Sequence, residues 1–305
     1  MCLFYRMPIV SFLVVAAAVV SLMRPLLADT FRWSGEGSNR YFTTAENWVG
    51  GVAPVSADDL HIHLQATASN YSPIVDVAEL LTLNRLSISN SKYNVSGNTL
   101  RFAGADARIV VGPGSHGFGF TCPLELASDL TLEMQQSYNF FINGVVDGSG
   151  GFTVTGGHKE NSREGHFCQA ATYAGPTRLF GWFTLYKPGG RIVNSSRIDV
   201  YPSGTLSLQA GGVGEATNRV TDTIPVYLYN GLLLNLSADE TIDEVTAVGA
   251  LGYLQANTGI LRVGRLVRHR GGAARIRGAA TLGLTGGPRL FIGTVDDTAT
   301  ADLLA

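Results

Sequence analysis

The chain has 305 residues, a net charge of −2 and 15% charged residues, and glycine occurs 37 times. Proteins that bind nucleic acid need a concentrated basic surface, so this charge balance excludes nucleic acid as the main partner. After residue 28, short segments alternate apolar and polar residues and are separated by Gly, Asn, Asp, Ser or Pro. This pattern predicts an all-β protein.

Residues 1–28 have the layout of a secretory signal peptide. Arg6 supplies a positive charge, residues 8–23 are apolar, and Ala28 offers a small residue just before Asp29. A retained signal anchor is the alternative, but the apolar run is shorter than the ~20 residues that span a bilayer comfortably. We therefore predict cleavage after Ala28, no membrane span in the mature chain, and a secreted or cell-surface location, with the periplasm as the other destination.

Residues 29–60 form an opening block that contains Trp33 and Trp48. Such aromatic residues could stack on sugar rings, but they more often fill a core or close the end of a solenoid. We interpret this block as an N-terminal cap that packs over the first coil.

Residues 61–305 carry a degenerate repeat in which a turn precedes Thr-Leu, a polar residue, an apolar residue and a small residue. Clear copies begin at Thr99, Thr205 and Thr281. Short strands that repeat between glycine turns are typical of a solenoid, so we predict a right-handed parallel β-helix. The residues expected to point inward are Leu100, Phe102, Leu206, Leu208, Leu282 and Leu284.

The order of several segments resembles the autotransporter-associated β-strand repeat proteins of bacteria. The segments are Gly148-Ser-Gly-Gly-Phe-Thr-Val-Thr-Gly-Gly157, Asn194-Ser-Ser-Arg-Ile-Asp-Val-Tyr-Pro-Ser-Gly-Thr-Leu-Ser-Leu208 and the opening block with Trp33-Ser-Gly35. The resemblance implies a secreted right-handed parallel β-helix, in most cases without known catalysis. Autotransporters end in a membrane β-barrel of several hundred residues, and this chain stops at Ala305 without one, so self-export through such a barrel is not expected.

Polar residues that could bind a ligand are densest in a predicted loop insertion, residues 156–170. Its candidates are His158, Glu160, Glu164 and His166, and Trp182 is a further candidate because an indole can stack on a sugar. The alternative is a solvated loop between two coils that needs polar residues only for hydration.

Two cysteines follow the leader, Cys122 and Cys168. They could form a disulfide in an oxidising compartment, or remain two buried thiols. His61 and His63 lie on the same face of one strand and could coordinate a metal ion, but two ligands are too few for a metal site. We expect no metal and no cofactor.

These features favour a secreted or cell-surface structural or adhesive β-solenoid that is not an enzyme. The alternatives are a carbohydrate-active β-helix, either a polysaccharide lyase or a glycosidase, and a sugar-binding module. Polysaccharide or other cell-surface components are the expected partners. Because nothing after Thr294 has the character of a cap, we expect the open C-terminal coil to be an interaction surface. Either a partner docks there, or the protein self-associates end to end, or the native chain is longer.

Overall fold

The structure is a computed structural model that describes residues 30–89, 92–113, 118–135, 139–157, 164–210, 218–269, 272–277, 289–296 and 298–299. The predicted signal peptide, His158, Glu160, Leu282 and Leu284 lie outside these residues. Within them the only helical element is a 3-10 turn at Ala45–Asn47. No helix in this part of the chain has the length and apolar character needed to cross a bilayer.

Short strands make up nearly all of the regular structure. In chain order they are β1 Thr30–Trp33, β2 His61–Leu64, β3 Ile74–Leu83, β4 Arg85–Ile88, β5 Asn94–Phe102, β6 Arg108–Val111, β7 Phe118–Phe120, β8 Leu124–Leu126, β9 Leu130–Met134, β10 Phe140–Ile142, β11 Val146–Gly148, β12 Phe152–Gly156, β13 Gly165–Phe167, β14 Ala170–Ala171, β15 Thr177–Leu179, β16 Trp182–Leu185, β17 Arg191–Ile192, β18 Ile198–Val200, β19 Thr205–Leu208, β20 Val226–Tyr229, β21 Leu232–Asn235, β22 Asp239–Val248, β23 Gly252–Ala256, β24 Ile260–His269, β25 Ala274–Arg277, β26 Arg289–Val295 and β27 Thr298–Ala299.

The strands stack as a β-solenoid of about eight turns, which confirms the predicted parallel β-helix. Face A is a 13-stranded sheet in the order β1, β2, β4, β6, β9, β12, β15, β18, β20, β22, β24, β26 and β27. A 14-stranded sheet forms the other two faces and bends at β5, which contributes to both. Face B contains β3, β5, β8, β11, β14 and β17, and face C contains β5, β7, β10, β13, β16, β19, β21, β23 and β25.

One continuous apolar core fills the space between the three faces. Alternation along each strand sends every second side chain inward, and neighbouring coils place these side chains in contact. Leu100, Phe102, Leu206 and Leu208 are at most 1% exposed, as the repeat predicts. Burial of such side chains stabilises the fold by about 1.5–3 kcal/mol each.

The chain turns sharply between faces, and some corners tolerate only glycine. At Gly181 an added Cβ would lie 1.5 Å from the carbonyl oxygen of Gly156, one coil away. The two corners therefore pack backbone against backbone. This contact explains part of the high glycine content, because a side chain at Gly181 would force the coils apart.

The opening block packs as the predicted N-terminal cap. Trp33, Phe42 and Trp48 are at most 2% exposed, and the Trp33 and Trp48 rings meet edge to face with centroids 5.2 Å apart. The Trp48 indole N–H donates to the carbonyl oxygen of Phe42 at 2.7 Å. The polar edges of the buried indoles are thus satisfied, and their faces close the first coil instead of binding sugar.

At the other end the expectation that nothing after Thr294 covers the last coil needs correction. Strand β27 pairs antiparallel with β26, and Asp296 accepts a hydrogen bond from the backbone N–H of Arg268 at 2.8 Å. This turn ends face A. Face C ends differently, because Ile276 on β25 continues an inward-facing row yet is 42% exposed.

The predicted loop insertion at 156–170 is narrower in the structure. Strand β13 lies inside that range, β14 begins at its last residue, and Phe167 is a buried member of the core. Residues 165–171 therefore belong to a coil. Because polar residues surround His166 and Phe167, the sequence does not reveal the short polar–apolar alternation of this strand.

Candidate functional site

The structure brings three of the predicted ligand-binding residues together on the outer side of face C. Glu164 precedes β13, His166 lies within it, and Trp182 begins β16, the next strand of the face. The Trp182 indole N–H donates to Thr184 Oγ1 at 3.2 Å, and Thr184 Oγ1 donates to Glu164 Oε2 at 2.9 Å. Glu164, His166, Thr184 and Trp182 are called the face C cluster below.

His166 is a buried polar side chain of the face C cluster. Its ring stacks on Phe141, with centroids 4.6 Å apart and an interplanar angle of 15°, and the residue is 4% exposed. Burial, with a further contribution from the Lys187 ammonium, lowers the pKa of His166 to about 4. The imidazole is therefore neutral at neutral pH and too weak a base for proton transfer there.

The face C cluster is a packed polar network and not an open platform. His166 Nε2 lies 3.8 Å from Glu164 Oε2, beyond a hydrogen bond, and neither ring nitrogen bonds to another described residue. Trp182 is only 9% exposed, so little of its face can meet a sugar. Among the described residues, no group of three or more His, Cys, Asp or Glu side chains could hold a metal ion.

His61 and His63 lie on the outer side of face A, as the strand pattern predicts. His61 Nε2 is 2.9 Å from Ser87 Oγ, and His63 Nε2 is 2.9 Å from Ser89 Oγ. Burial, assisted by Arg85 and by His63, lowers the pKa of His61 to about 4. These histidines belong to a ladder of hydrogen-bonded polar side chains.

Cys122 and Cys168 are separate buried thiols, so the disulfide that their number allowed is not formed. Cys122 follows β7 and Cys168 follows β13, while β10 lies between these two strands on face C. Two strand spacings are about 9–10 Å, and a disulfide needs Cα atoms within about 7 Å. Burial raises the pKa of Cys122 to about 12.

Carboxylates of two neighbouring coils meet on the outer side of face B. The register places Asp147 of β11 directly beside Glu125 of β8. Glu125 Oε1 is 3.4 Å from Arg101 Nε, and Asp147 is exposed. Carboxylate pairs about 5–9.5 Å apart cleave glycosides when they flank a bound sugar. Here both carboxylates project from an open strand face.

Face A carries a row of aromatic residues that sequence reasoning missed. Phe180 and Tyr201 stack with ring centroids 4.2 Å apart and an interplanar angle of 6°, and Tyr201 stacks on Tyr229 at 4.9 Å and 11°. Phe180, Tyr201 and Tyr229 are called the aromatic ladder below. Tyr227 lies beside it, with its centroid 6.4 Å from that of Tyr229. The alternating Tyr227-Leu228-Tyr229 was the available signal, but only the register shows the stack.

A buried carboxylate lies beside the aromatic ladder. Asp199 is fully buried, and its Oδ2 accepts a hydrogen bond from Arg197 Nε at 3.0 Å. Burial raises the pKa of Asp199, while the Arg197 guanidinium opposes this shift. The same guanidinium lies over the ring of Tyr227, 5.9 Å from its centroid. The ladder is thus flanked by a cation and an anion that hold each other in place.

The outer faces of the solenoid therefore present polar ladders, ion pairs and one aromatic ladder, all ordered by the spacing of the coils. Comparison of the chain with protein-family models, with curated proteins and with solved structures gives no match.

Proposed function

We propose that the protein is an exported structural or adhesive β-solenoid module that acts at the cell surface without catalysis. The observation that supports this most strongly is the unbroken parallel register of face A from β1 to β26. The twelve parallel strands of this stack, at a spacing of ~4.8 Å, give a rod roughly 50 Å long. Backbone hydrogen bonds join neighbouring strands along this stack, and stacked rings and ion pairs add side-chain contacts between several of the described coils.

The chemistry of the candidate residues supports a binding or structural role over hydrolysis. A general acid and base must be within reach of a substrate and have a pKa close to the working pH. Burial of His166 lowers its pKa to about 4, and Glu164 already accepts a hydrogen bond from Thr184. In the aromatic ladder, Tyr201 has a stacked ring on each face, so this part of the ladder first serves to hold coils together.

Export is tested by producing the full chain with its own leader in a bacterial host and separating cytoplasm, periplasm, membranes and medium. The expected product is outside the cytoplasm and starts at Asp29. A matched variant with Val14→Arg and Val15→Arg in the apolar run should stay inside the cell. An intact Met1 on an exported, membrane-embedded product would contradict the assignment of residues 1–28 as a cleaved leader.

Adhesion and catalysis are tested on the secreted protein. Beads coated with the folded protein should be retained on the surface of the producing bacterial cells. Retention should be lost when the solenoid is unfolded before coating. The same protein should release no reducing ends and no unsaturated sugars from polysaccharides. Release that disappears in Asp147→Asn would overturn the non-catalytic function, because Asp147 and Glu125 are neighbours on face B.

A further inference from the structure

Among the residues that the structure describes, the aromatic ladder ends at Phe180, and no further described aromatic ring stacks on the other face of this ring. The backbone N–H of Phe180 donates to the carbonyl oxygen of Val154 at 2.9 Å, so the next coil presents Thr155 beside Phe180. Threonine is too short to cover a phenyl ring. Phe180 is accordingly 42% exposed, whereas Tyr201, with a ring on each side, is half-buried.

The coil beyond Thr155 supplies an opposite wall. Thr155 lies in register with Glu133 of β9, whose Oε2 accepts a hydrogen bond from Arg108 Nη1 at 3.2 Å. From Phe180 to Glu133 is two strand spacings, about 9–10 Å, which holds one flat ring in van der Waals contact on both sides. Thr155 forms the floor of this gap.

Polar side chains line the gap. Thr153 lies two residues before Thr155 on the same face and is in register with Arg178. The Arg178 guanidinium is directed away from Phe180, because its Nη1 is 3.0 Å from Asp129 Oδ2 and Asp129 lies four residues before Glu133. Phe180, Thr155, Glu133 and Thr153 are called the Phe180 shelf below.

The chemistry of the Phe180 shelf selects a sugar ring. A pyranose has an apolar face of C–H groups for the phenyl ring and a rim of hydroxyls that both donate and accept hydrogen bonds. Glu133 offers acceptors, and the hydroxyls of Thr153 and Thr155 offer both donors and acceptors. An apolar ring would leave these polar groups desolvated without partners. A nucleic acid would need a basic surface, and the chain has a net charge of −2.

We propose that the Phe180 shelf is a binding subsite for one sugar unit of an extracellular polysaccharide, which stacks on Phe180 as an added rung of the aromatic ladder. This subsite would supply the adhesive contact of the function proposed above. It requires only the folded rod, so it can fail without affecting export or the structural role.

Calorimetric titration of the secreted protein with hexasaccharides tests the subsite. The probes are hexamers of glucose, mannose, xylose, N-acetylglucosamine and galacturonic acid. Phe180→Ala removes the stacking face and should weaken binding about tenfold. Thr155→Phe keeps every ladder ring, fills the gap with a further one, and should abolish binding. Phe291→Ala is the matched control, because Phe291 is also 42% exposed but lies on β26, and its affinity should equal that of the wild type.

Binding of at least one hexamer with this order of affinities supports the proposal. The proposal is overturned if the wild type binds none of the probes, if Thr155→Phe binds as well as the wild type, or if Phe291→Ala loses as much affinity as Phe180→Ala. Bead retention that persists in Phe180→Ala would leave the adhesive function standing and remove this subsite as its cause.

Discussion

The carboxylate of Glu240 accepts the backbone N–H of Arg219 at 2.6 Å, and its second oxygen accepts the N–H of Val220 at 3.2 Å. Arg219 and Glu240 are each 1% exposed. Here face B has an isolated bridge between Ile192 and Val220 in place of a strand. A buried carboxylate therefore satisfies backbone groups that a neighbouring strand would otherwise satisfy, while the Arg219 guanidinium donates to the carbonyl oxygen of Gly190 at 3.0 Å.

The buried Glu240 carboxylate predicts that the free energy of unfolding falls as the pH rises. Burial raises the pKa of Glu240 from 4.5 to about 7; Asp222 adds to the shift, and the two backbone hydrogen bonds and Arg219 oppose it. The folded protein thus binds more protons than the unfolded chain between pH 4.5 and 7. The contribution of Glu240 is fully present below pH 4.5 and is lost by about pH 7, which lowers the free energy of unfolding by roughly 3 kcal/mol.

Urea denaturation at a series of pH values measures this contribution. Glu240→Gln should reduce the fall in the free energy of unfolding between pH 4.5 and 7, because an amide does not titrate. Glu244→Gln alters a partly exposed carboxylate paired with Arg265, and this variant should show the same fall as the wild type. An unchanged slope in Glu240→Gln would assign the pH dependence to other groups.

The aromatic ladder predicts that Tyr201→Ala destabilises more than its exposure suggests. Tyr201 contributes to two stacked pairs, each worth about 0.5–1.5 kcal/mol beyond burial, so the loss should be roughly 1–3 kcal/mol. Chemical denaturation gives the free energy of unfolding. Tyr41→Ala, at a 44% exposed tyrosine of the N-terminal cap, should cost less. Equal losses would indicate that the stacking adds nothing to stability.

Cys122 should be inert towards thiol reagents in the folded protein. Burial raises its pKa to about 12, so almost no thiolate exists at neutral pH, and the thiolate is the reactive form. In the mature protein starting at Asp29, a colorimetric thiol assay should detect Cys122 and Cys168 only after unfolding. Reduction should not change the mass. A mass gain of two hydrogen atoms on reduction would reveal a disulfide and contradict the observed separation of the thiols.

The end of face C predicts concentration-dependent self-association. Ile276 extends the inward-facing row of Leu233 and Leu254, which are both 0% exposed, but it is itself 42% exposed. Ile276→Lys should lower the average mass measured by light scattering at high concentration, because it places a charge on this apolar end. The matched change Val145→Lys, at an exposed apolar residue on the side of the rod, should not. A wild type that stays monomeric at every concentration would contradict the prediction.

The strand pattern, the inward side chains and the aromatic cap can be predicted from the amino-acid sequence alone. These features depend on local rules: side-chain direction alternates along a strand, and glycine marks corners. Leu100, Phe102, Leu206, Leu208, Trp33 and Trp48 could therefore be assigned before any coordinates existed.

Only the tertiary structure decided which residues become neighbours across coils. The register aligns Phe180 with Tyr201, Tyr201 with Tyr229, Arg219 with Glu240 and Asp147 with Glu125, although unequal lengths of chain separate these pairs. It likewise separates Cys122 from Cys168 by a full coil. Corners and insertions change the length of each coil without changing the strand pattern, so lateral contacts cannot be read from periodicity. They are fixed when the coils stack and the shared core closes.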